Sequence, residues 1–169
     1  MDPDLRRVCL VFSRLRIALC PPVHRLRKRP MPMPQSRQII VDGSNVMHWG
    51  GDASLLVLCR VLKDLQTRGF APIVYFDANA GFKLGGQARS GAQMAERIGL
   101  DVAEVNVVPS GVSADGIMLA HGARDGLRIV TNDRFLDWKS KFPQVGKKGF
   151  LIKGKWQQGT VILRDNINR

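Results

Sequence analysis

Residues 38–45 read QIIVDGSN, a short apolar run that ends in an acid, a glycine and two polar residues. A continuous aliphatic run of this length is typical of a strand that is buried on both faces, as in a parallel sheet. Asp42 then closes the strand, and Gly43 begins a turn. In open α/β sheets, ligands bind beyond the carboxyl ends of the strands. The stretch therefore predicts an α/β domain with Asp42 at its ligand-binding edge.

The rest of the chain alternates apolar runs with amphipathic stretches. This pattern predicts strands over residues 38–42, 71–77, 102–108 and 127–131, and helices over 53–67, 85–98, 113–124 and 133–141. Ser113 is well placed as an N-cap. Residues 150–153 and 160–163 flank a Gly-rich turn and predict a hairpin or an edge strand. The alternation favours a Rossmann-like, three-layer α/β/α sandwich around a mostly parallel sheet.

The chain is strongly basic, with a formal net charge of +12 over 169 residues. Residues 1–34 carry eight Arg or Lys against two Asp, and residues 138–169 carry eight against one. A protein of this charge most often faces a polyanion, either nucleic acid or an anionic membrane surface. Trp138 and Trp156 are interleaved with the second basic segment. They could stack on bases, although burial in the core is the alternative, and it is favoured for Trp138.

The first 36 residues differ in composition from the rest. They are basic and rich in proline, which predicts a disordered extension before a domain over residues 37–169. The apolar stretch 8–20 is interrupted by Arg14 and Arg16 and is too short to span a bilayer. A targeting peptide or a membrane-surface helix stays open there, but stable membrane association is not expected. The three cysteines are scattered, which argues against a disulfide framework and favours the cytoplasm. A homodimer is left open.

Four aspartates follow the predicted strands. Asp42 closes the first strand, Asp115 lies in the first turn of the helix after the third, and Asp133 follows the fourth. Asp137 is four residues beyond Asp133, on the same face of the predicted helix. All four are therefore expected at one edge of the sheet. Asp77 also ends a strand, but it can be a turn residue and is placed at the rim.

Each acid also has an ordinary structural explanation, as a turn residue or as a partner of a helix dipole. Their convergence is harder to explain in that way, because clustered like charges cost free energy without a cation. Asn45 and Asn132 lie beside them, and amides can hold a phosphate or a metal-bound water. A carboxylate cluster without His or Cys favours Mg²⁺ or Mn²⁺ over Zn²⁺.

Three segments resemble the motifs of NYN-domain ribonucleases, in the regnase-type branch of the PIN-like superfamily and its bacterial relatives. They are residues 39–46 (IIVDGSNV), 113–116 (SADG) and 130–134 (VTNDR) together with Asp137. The resemblance spans roughly residues 38–150. It implies a PIN-like fold, dependence on Mg²⁺ or Mn²⁺, and single-stranded RNA as the substrate. One departure is Ala114, because regnase-type enzymes usually carry paired acids at this motif. The chain also lacks a CCCH zinc finger.

The resemblance and the charge pattern together give a set of candidate site residues. The resemblance implies that the metal-site acids are Asp42, Asp115, Asp133 and Asp137, and that the catalytic set is Asp42, Asn45, Asp115 and Asp133. The candidates for substrate binding are Ser44, Asn132, Arg134, Lys83, Arg89, Lys147, Lys148, Lys153 and Lys155. The glycines of residues 81–91 match no phosphate-binding fingerprint.

The leading prediction is therefore a metal-dependent endoribonuclease that hydrolyses phosphodiester bonds. A catalytically weak or inactive RNA-binding module is the alternative that Ala114 suggests. A haloacid-dehalogenase-like phosphatase would need a second acid two positions after Asp42, where Ser44 stands. A dinucleotide-binding dehydrogenase is disfavoured because no G-x-G-x-x-G follows the first strand.

Overall fold

The computed structural model describes residues 37–86 and 90–164. Its centre is a five-stranded sheet in which each strand pairs in parallel with its neighbours. The strands are β1 (Gln38–Asp42), β2 (Ala71–Phe76), β3 (Val105–Val107), β4 (Ile129–Val130) and β5 (Leu151–Ile152). Their spatial order is β3-β2-β1-β4-β5. Strands β2 and β3 are added on one side of β1, and β4 and β5 on the other, so the strand order reverses between β1 and β4. In such sheets the ligand-binding crevice lies beyond the carboxyl ends of the two strands at this reversal.

Helices connect the strands, and a hairpin follows the sheet. The helices are α1 (Gly43–Val46), α2 (Leu55–Thr67), α3 (Ala80–Lys83), α4 (Gly91–Ile98) and α5 (Ala114–Asp125). The antiparallel hairpin consists of β6 (Gly154–Gln157) and β7 (Thr160–Leu163). Both sequence alternatives for the last segment are present, because β5 is an edge strand and β6 with β7 is a hairpin.

The core is divided between the two faces of the sheet. Ile39 and Val41 belong to a buried cluster that includes the apolar faces of α2 and α4. Ile40 lies on the opposite face, in a second cluster with Met118 and Leu119 of α5. Successive strand residues face opposite sides, so β1 is covered on both faces. The predicted three-layer arrangement around a parallel sheet is confirmed.

Close packing at Gly43 fixes the end of β1. A β-carbon on this residue would lie 2.5 Å from Phe76 Cε1 and 2.8 Å from Val74 Cγ1. Only glycine fits without moving these buried side chains. The first residue of α1 therefore packs directly against the side chains of β2. Asp42, at the boundary between β1 and α1, is the N-cap residue of α1.

The predicted helix over residues 85–98 is shorter than expected and is preceded by α3. Helix α4 begins at Gly91, because Ser90 caps it with a reciprocal hydrogen-bond pair to Gln93. Ser113 is the N-cap residue of α5 as expected, but its side chain makes no capping hydrogen bond. The extension over residues 1–36 and Arg89 lie outside the described residues.

Two sequence predictions of secondary structure are wrong in part. Residues 102–104 form a 3₁₀ turn, capped by the Asp101 side chain, so the third strand has only three residues. The helix expected over residues 133–141 is absent, and a 3₁₀ turn covers only Leu136–Trp138. The reason is Phe135, whose φ of 46° is left-handed and ends any helix from Asp133.

Candidate active site

One polar pocket lies beyond the carboxyl ends of the strands. It encloses about 310 Å³. Its lining combines four carboxylates with polar and basic side chains, namely Asp42, Asp77, Asp115, Asp133, Ser44, Asn45, His48 and Lys83. Three of the four acids named as metal candidates from the sequence are therefore brought together, and Asp77 joins them. We call this cavity the acidic pocket.

Asp42 is the most buried acid of the pocket, with 8% of its surface exposed. Its Oδ1 accepts from the Asn45 main-chain N–H at 3.0 Å, and its Oδ2 accepts from the Thr131 hydroxyl at 2.9 Å. Burial first, and the nearby charges of Asp115 and Asp77 in addition, raise the pKa of Asp42 from 3.8 to about 6, although the two hydrogen bonds act to lower it. Its charged form is thus poorly compensated by the protein alone.

Asp133 is held by the segment that follows β4. Its main-chain N–H donates to Thr131 Oγ1 at 3.0 Å, and its own Oδ1 accepts from the Phe135 N–H at 2.8 Å. The second bond closes a turn of the kind that aspartate side chains commonly make. One lone pair of Oδ1 is thereby used by the backbone, and the hydrogen bond fixes the orientation of the Asp133 carboxylate.

Asp115 and Asp77 complete the acidic wall. Asp115 is in the first turn of α5 and is half-buried. Burial raises its pKa, and the charges of Asp133 and Asp77 raise it further. The Asp77 main-chain N–H donates to Ser44 Oγ at 2.9 Å, which ties the end of β2 to α1. The sequence placed Asp77 at the rim, but the structure puts it in the lining because β2 is the direct neighbour of β1.

The two asparagines have different surroundings. Asn45 Oδ1 accepts from Trp49 Nε1 at 3.0 Å and from the Asn132 main-chain N–H at 2.8 Å. These donors use both lone pairs of the oxygen, so Asn45 can offer a ligand only its Nδ2 donor. The Asn132 side chain makes a reciprocal pair with the Gly154 backbone, at 2.9 and 3.1 Å. It therefore anchors the hairpin and does not line the acidic pocket.

Asp137 lies elsewhere. The sequence placed it beside Asp133 on a helix face, but the left-handed Phe135 separates the two acids. Asp137 is exposed in the 3₁₀ turn and is not among the residues that line the acidic pocket. The expectation that these two acids share a helix face is therefore wrong.

His48 is a lining residue that the sequence reasoning missed. It is exposed, and its Nδ1 lies 3.2 Å from the Gly51 carbonyl oxygen. If Nδ1 donates this hydrogen bond, Nε2 is left as the ring nitrogen for a ligand. A lone histidine with no partner at ligand spacing gives no signal in the sequence. Its place in the loop directly after the DGSN segment was the only available hint.

The basic candidates fall into two groups. Lys83 lines the acidic pocket at the end of α3. Arg134, Lys147, Lys148 and Lys153 line a second cavity of about 400 Å³, which we call the basic cleft. Lys155 is on β6, outside both linings. The Lys153 ammonium donates to the main-chain carbonyl of Asp133 and so joins the edges of the two cavities.

The two tryptophans of the basic segment pack against glycines. A β-carbon on Gly116 would lie 2.8 Å from Trp138 Cη2, and one on Gly50 would lie 3.1 Å from Trp156 Cδ1. Trp138 is half-buried against the second core cluster, as the structural alternative for it expected. Its ring is also covered by the Lys141 ammonium, 5.7 Å from the centroid.

The donor set of the acidic pocket suits a hard cation. Among the described residues, four carboxylates and one lysine share its lining, and oxygen atoms are the ligands that Mg²⁺ prefers. Within residues 37–86 and 90–164, however, no three His, Cys, Asp or Glu side chains form a ready-made metal-binding group. The residues therefore fit an ion that keeps several of its own waters, as Mg²⁺ usually does, and not an ion enclosed by protein ligands.

Known structures share this fold. The chain is similar to nuclear proteinaceous RNase P 2 (PRORP2) from Arabidopsis thaliana, with a TM-score of 0.58 and 22% identity over 76% of this chain and 29% of that chain. A second structure of Arabidopsis thaliana nuclear protein-only RNase P 2 gives a TM-score of 0.56 and 21% identity, over 78% and 30%. The chain thus spans less than a third of either structure, and at this identity the likeness shows the fold alone.

A family model gives a more specific match. No curated protein matches the chain, and no helix of the described residues is long and apolar enough to cross a membrane. The model of the Zc3h12a-like Ribonuclease NYN domain matches residues 35–168, which is most of the chain. It covers every residue of the acidic pocket and of the basic cleft. The protein therefore belongs to the Zc3h12a-like family of ribonuclease NYN domains.

Proposed function

We propose that this protein is an endoribonuclease that requires Mg²⁺ or Mn²⁺ and hydrolyses phosphodiester bonds of single-stranded RNA in the acidic pocket. The observation that carries the proposal is the crowding of acids there. Asp42 and Asp115 both have a raised pKa, caused by burial and by their acidic neighbours. Such crowding is costly to the fold and is relieved when a divalent cation binds.

Four carboxylates would hold the metal, namely Asp42, Asp77, Asp115 and Asp133. A bound Mg²⁺ or Mn²⁺ would supply Lewis-acid chemistry and a water of lowered pKa. The protein's part is to keep the acids in place. Thr131 and the Asn45 N–H orient Asp42, and Ser44 ties the backbone of Asp77 to α1.

The other lining groups would contact the RNA. The Asn45 Nδ2 donor, the Lys83 ammonium and the His48 ring all line the pocket and can donate hydrogen bonds to phosphate oxygens. Ser44 Oγ accepts from Asp77, so its own hydroxyl hydrogen is left for a ligand. Arg134, Lys147, Lys148, Lys153 and Lys155 would draw the polyanion towards the site.

The test is cleavage of an end-labelled single-stranded RNA with Mg²⁺, Mn²⁺ or EDTA. We expect cleavage with metal, none in EDTA, and none by the double variant Asp42→Asn, Asp115→Asn. Glu96→Gln, which removes an exposed acid of α4, is the control and should cleave as the wild type does. A melting-temperature rise with Mn²⁺ in the wild type, absent in the double variant, reports metal binding without any turnover.

Two outcomes would contradict the proposal. Full cleavage in EDTA or by the double variant would place the chemistry elsewhere. Tight RNA binding without cleavage under any metal would favour a noncatalytic RNA-binding module. That second function is supported by the absence of a ready-made three-ligand group among the described residues, and by Ala114, which is buried at the start of α5 and adds no charge to the pocket.

A further inference from the structure

The basic cleft is a separate cavity beside the acidic pocket. Its wall carries five cations, namely Arg134, Lys139, Lys147, Lys148 and Lys153, and no acid is among the described residues that line it. Arg134, Lys139, Lys147 and Lys148 make no ion pair with the described part of the chain. Concentrated positive charge without counter-charge is costly to the fold and is relieved by an anionic ligand.

The floor of the cleft is apolar. Val145 and Leu151 are half-buried against the second core cluster, and Leu136 beside them has 61% of its surface exposed. An exposed leucine in a cleft that also carries five cations is suited to a ligand that combines a flat apolar surface with negative charge. A nucleotide has this combination, because its base can lie on the floor while its phosphates meet the ammonium groups. The cleft volume of about 400 Å³ is within the range of about 300–1,000 Å³ that holds small ligands.

The turn after β4 links this cleft to the acidic pocket. Phe135 is left-handed and its side chain is buried, with Asp133 Oδ1 accepting from its N–H. A left-handed non-glycine residue is strained and persists only where its surroundings impose it. Here it separates Asp133, which lines the acidic pocket, from Leu136, which lines the cleft. Lys153 belongs to the cleft and also donates to the Asp133 carbonyl.

We infer that the basic cleft is a nucleotide-binding subsite for single-stranded RNA that lies next to the bond to be cut. The inference rests on the proposed function and adds to it a defined place for one unpaired nucleotide beside the acidic pocket. In an A-form duplex each base is stacked between its neighbours and its flat face is covered, whereas an unpaired base can turn out and lay that face in a cleft. The cleft therefore selects an unpaired nucleotide and holds its phosphates on the lysines.

The experiment measures the affinity of a short labelled single-stranded RNA in EDTA, so that no cleavage occurs, over a range of salt concentrations. Lys147→Gln, Lys148→Gln should flatten the log–log salt slope by roughly 1.4, at about 0.7 for each phosphate that the protein no longer neutralises. Extrapolated from equal affinity at about 1 M salt, this difference in slope corresponds to a roughly 25-fold weaker affinity at about 0.1 M salt. The control Arg60→Gln, Lys63→Gln removes the same charge from the exposed face of α2, which covers the opposite face of the sheet.

A second pair of variants tests the apolar floor. Leu136→Ser should weaken RNA binding several-fold without a change in the salt slope, whereas Leu56→Ser, at an equally exposed leucine of α2, should have no effect. Both leucines are on the surface, so melting temperatures should stay close to that of the wild type. A duplex RNA of the same length should bind more weakly, and the Leu136→Ser change should not affect it.

The results separate the subsite from the nuclease activity. If the Lys147→Gln, Lys148→Gln variant binds RNA as tightly as the α2 control does, the subsite is overturned, even if Mn²⁺-dependent cleavage is intact. Equal losses for single strand and duplex would also overturn it, since they would indicate only a general attraction to phosphate. The expected loss in binding, in a protein that cleaves nothing under any metal, would support the subsite while the proposed nuclease activity fails.

Discussion

The hydroxyl of Thr131 donates to Asp42 Oδ2 at 2.9 Å, so the ends of β4 and β1 are joined by a buried side chain. The same hydroxyl accepts from the Asp133 main-chain N–H at 3.0 Å. Thr131 is fully buried and lines neither the acidic pocket nor the basic cleft. It therefore acts on the acidic pocket only through the two acids that it holds.

Thr131→Val keeps the shape of the side chain and removes both hydrogen bonds. We expect the free energy of unfolding to fall by about 1–3 kcal/mol, because buried polar groups are left without their partner. The pKa of Asp42 should rise further, since this hydrogen bond opposes the effect of burial. Urea unfolding at neutral pH measures the loss. Thr131→Ser retains the hydroxyl and is the control; a loss for valine no greater than for serine would contradict the role assigned to the hydrogen bonds.

The stability of the metal-free protein should depend on pH through Asp42. Its pKa is raised from 3.8 to about 6 in the folded state. Between these values the native state keeps a proton that the unfolded chain has released, so the free energy of unfolding falls as the pH rises through this window. The ionised carboxylate should thus cost about 3 kcal/mol above pH 6.

Asp42→Asn should remove this dependence. We expect the metal-free variant to be more stable than the wild type at pH 7.5, by roughly 1–3 kcal/mol, and to lose this advantage near pH 4. Urea titrations at several pH values in EDTA measure the difference. A variant that is less stable than the wild type at pH 7.5 would show that the hydrogen bonds to the carboxylate outweigh its burial.

The sequence suggested Asp137 as the fourth metal-site acid, whereas the structure places Asp77 in the acidic pocket. The variants Asp77→Asn and Asp137→Asn test which of the two acids contributes to the site. Asp77 lines the acidic pocket and Asp137 does not. We therefore expect Asp77→Asn to weaken Mn²⁺ binding and RNA cleavage at least tenfold, which is about 1.4 kcal/mol, and Asp137→Asn to change either by less than about twofold. Mn²⁺ titration followed by melting temperature, together with cleavage rates, gives both values. The reverse order would restore Asp137 to the metal site.

Deletion of residues 1–35 should leave the fold and RNA cleavage unchanged. The described core is assembled from residues between Ile39 and Leu163, and the acidic pocket from residues between Asp42 and Asp133. Circular dichroism and cleavage rates of the shortened protein measure the effect. Unchanged dichroism with abolished cleavage would assign the extension a part in RNA capture or catalysis.

The features that sequence reasoning found are those that depend on neighbouring residues. The apolar run before Asp42 identifies a buried strand, and the helical spacing after Ser54 identifies α2. Asp42 and Asp115 could be placed at one edge because the carboxyl ends of parallel strands all meet there. The order of strands was not needed for that step.

The features that sequence reasoning missed depend on contacts that form only in the folded protein. Asp77 looks like a turn residue until β2 is known to pair directly with β1. Residues 133–141 have a helical pattern, but burial of the Phe135 ring and the hydrogen bond from its N–H to Asp133 impose a left-handed residue instead. No local pattern carries these contacts.

The four acids of the pocket also determine when the site can form during folding. They follow β1, β2, β3 and β4 in turn and extend from Asp42 to Asp133, so bringing them together requires long loops to close first. A divalent ion would lack its set of four carboxylates until the ends of β1 to β4 have come together. Binding should therefore leave the refolding rate unchanged and slow unfolding, as expected for contacts absent from the transition state. The ion would therefore stabilise the native state kinetically after folding and would not assist its assembly.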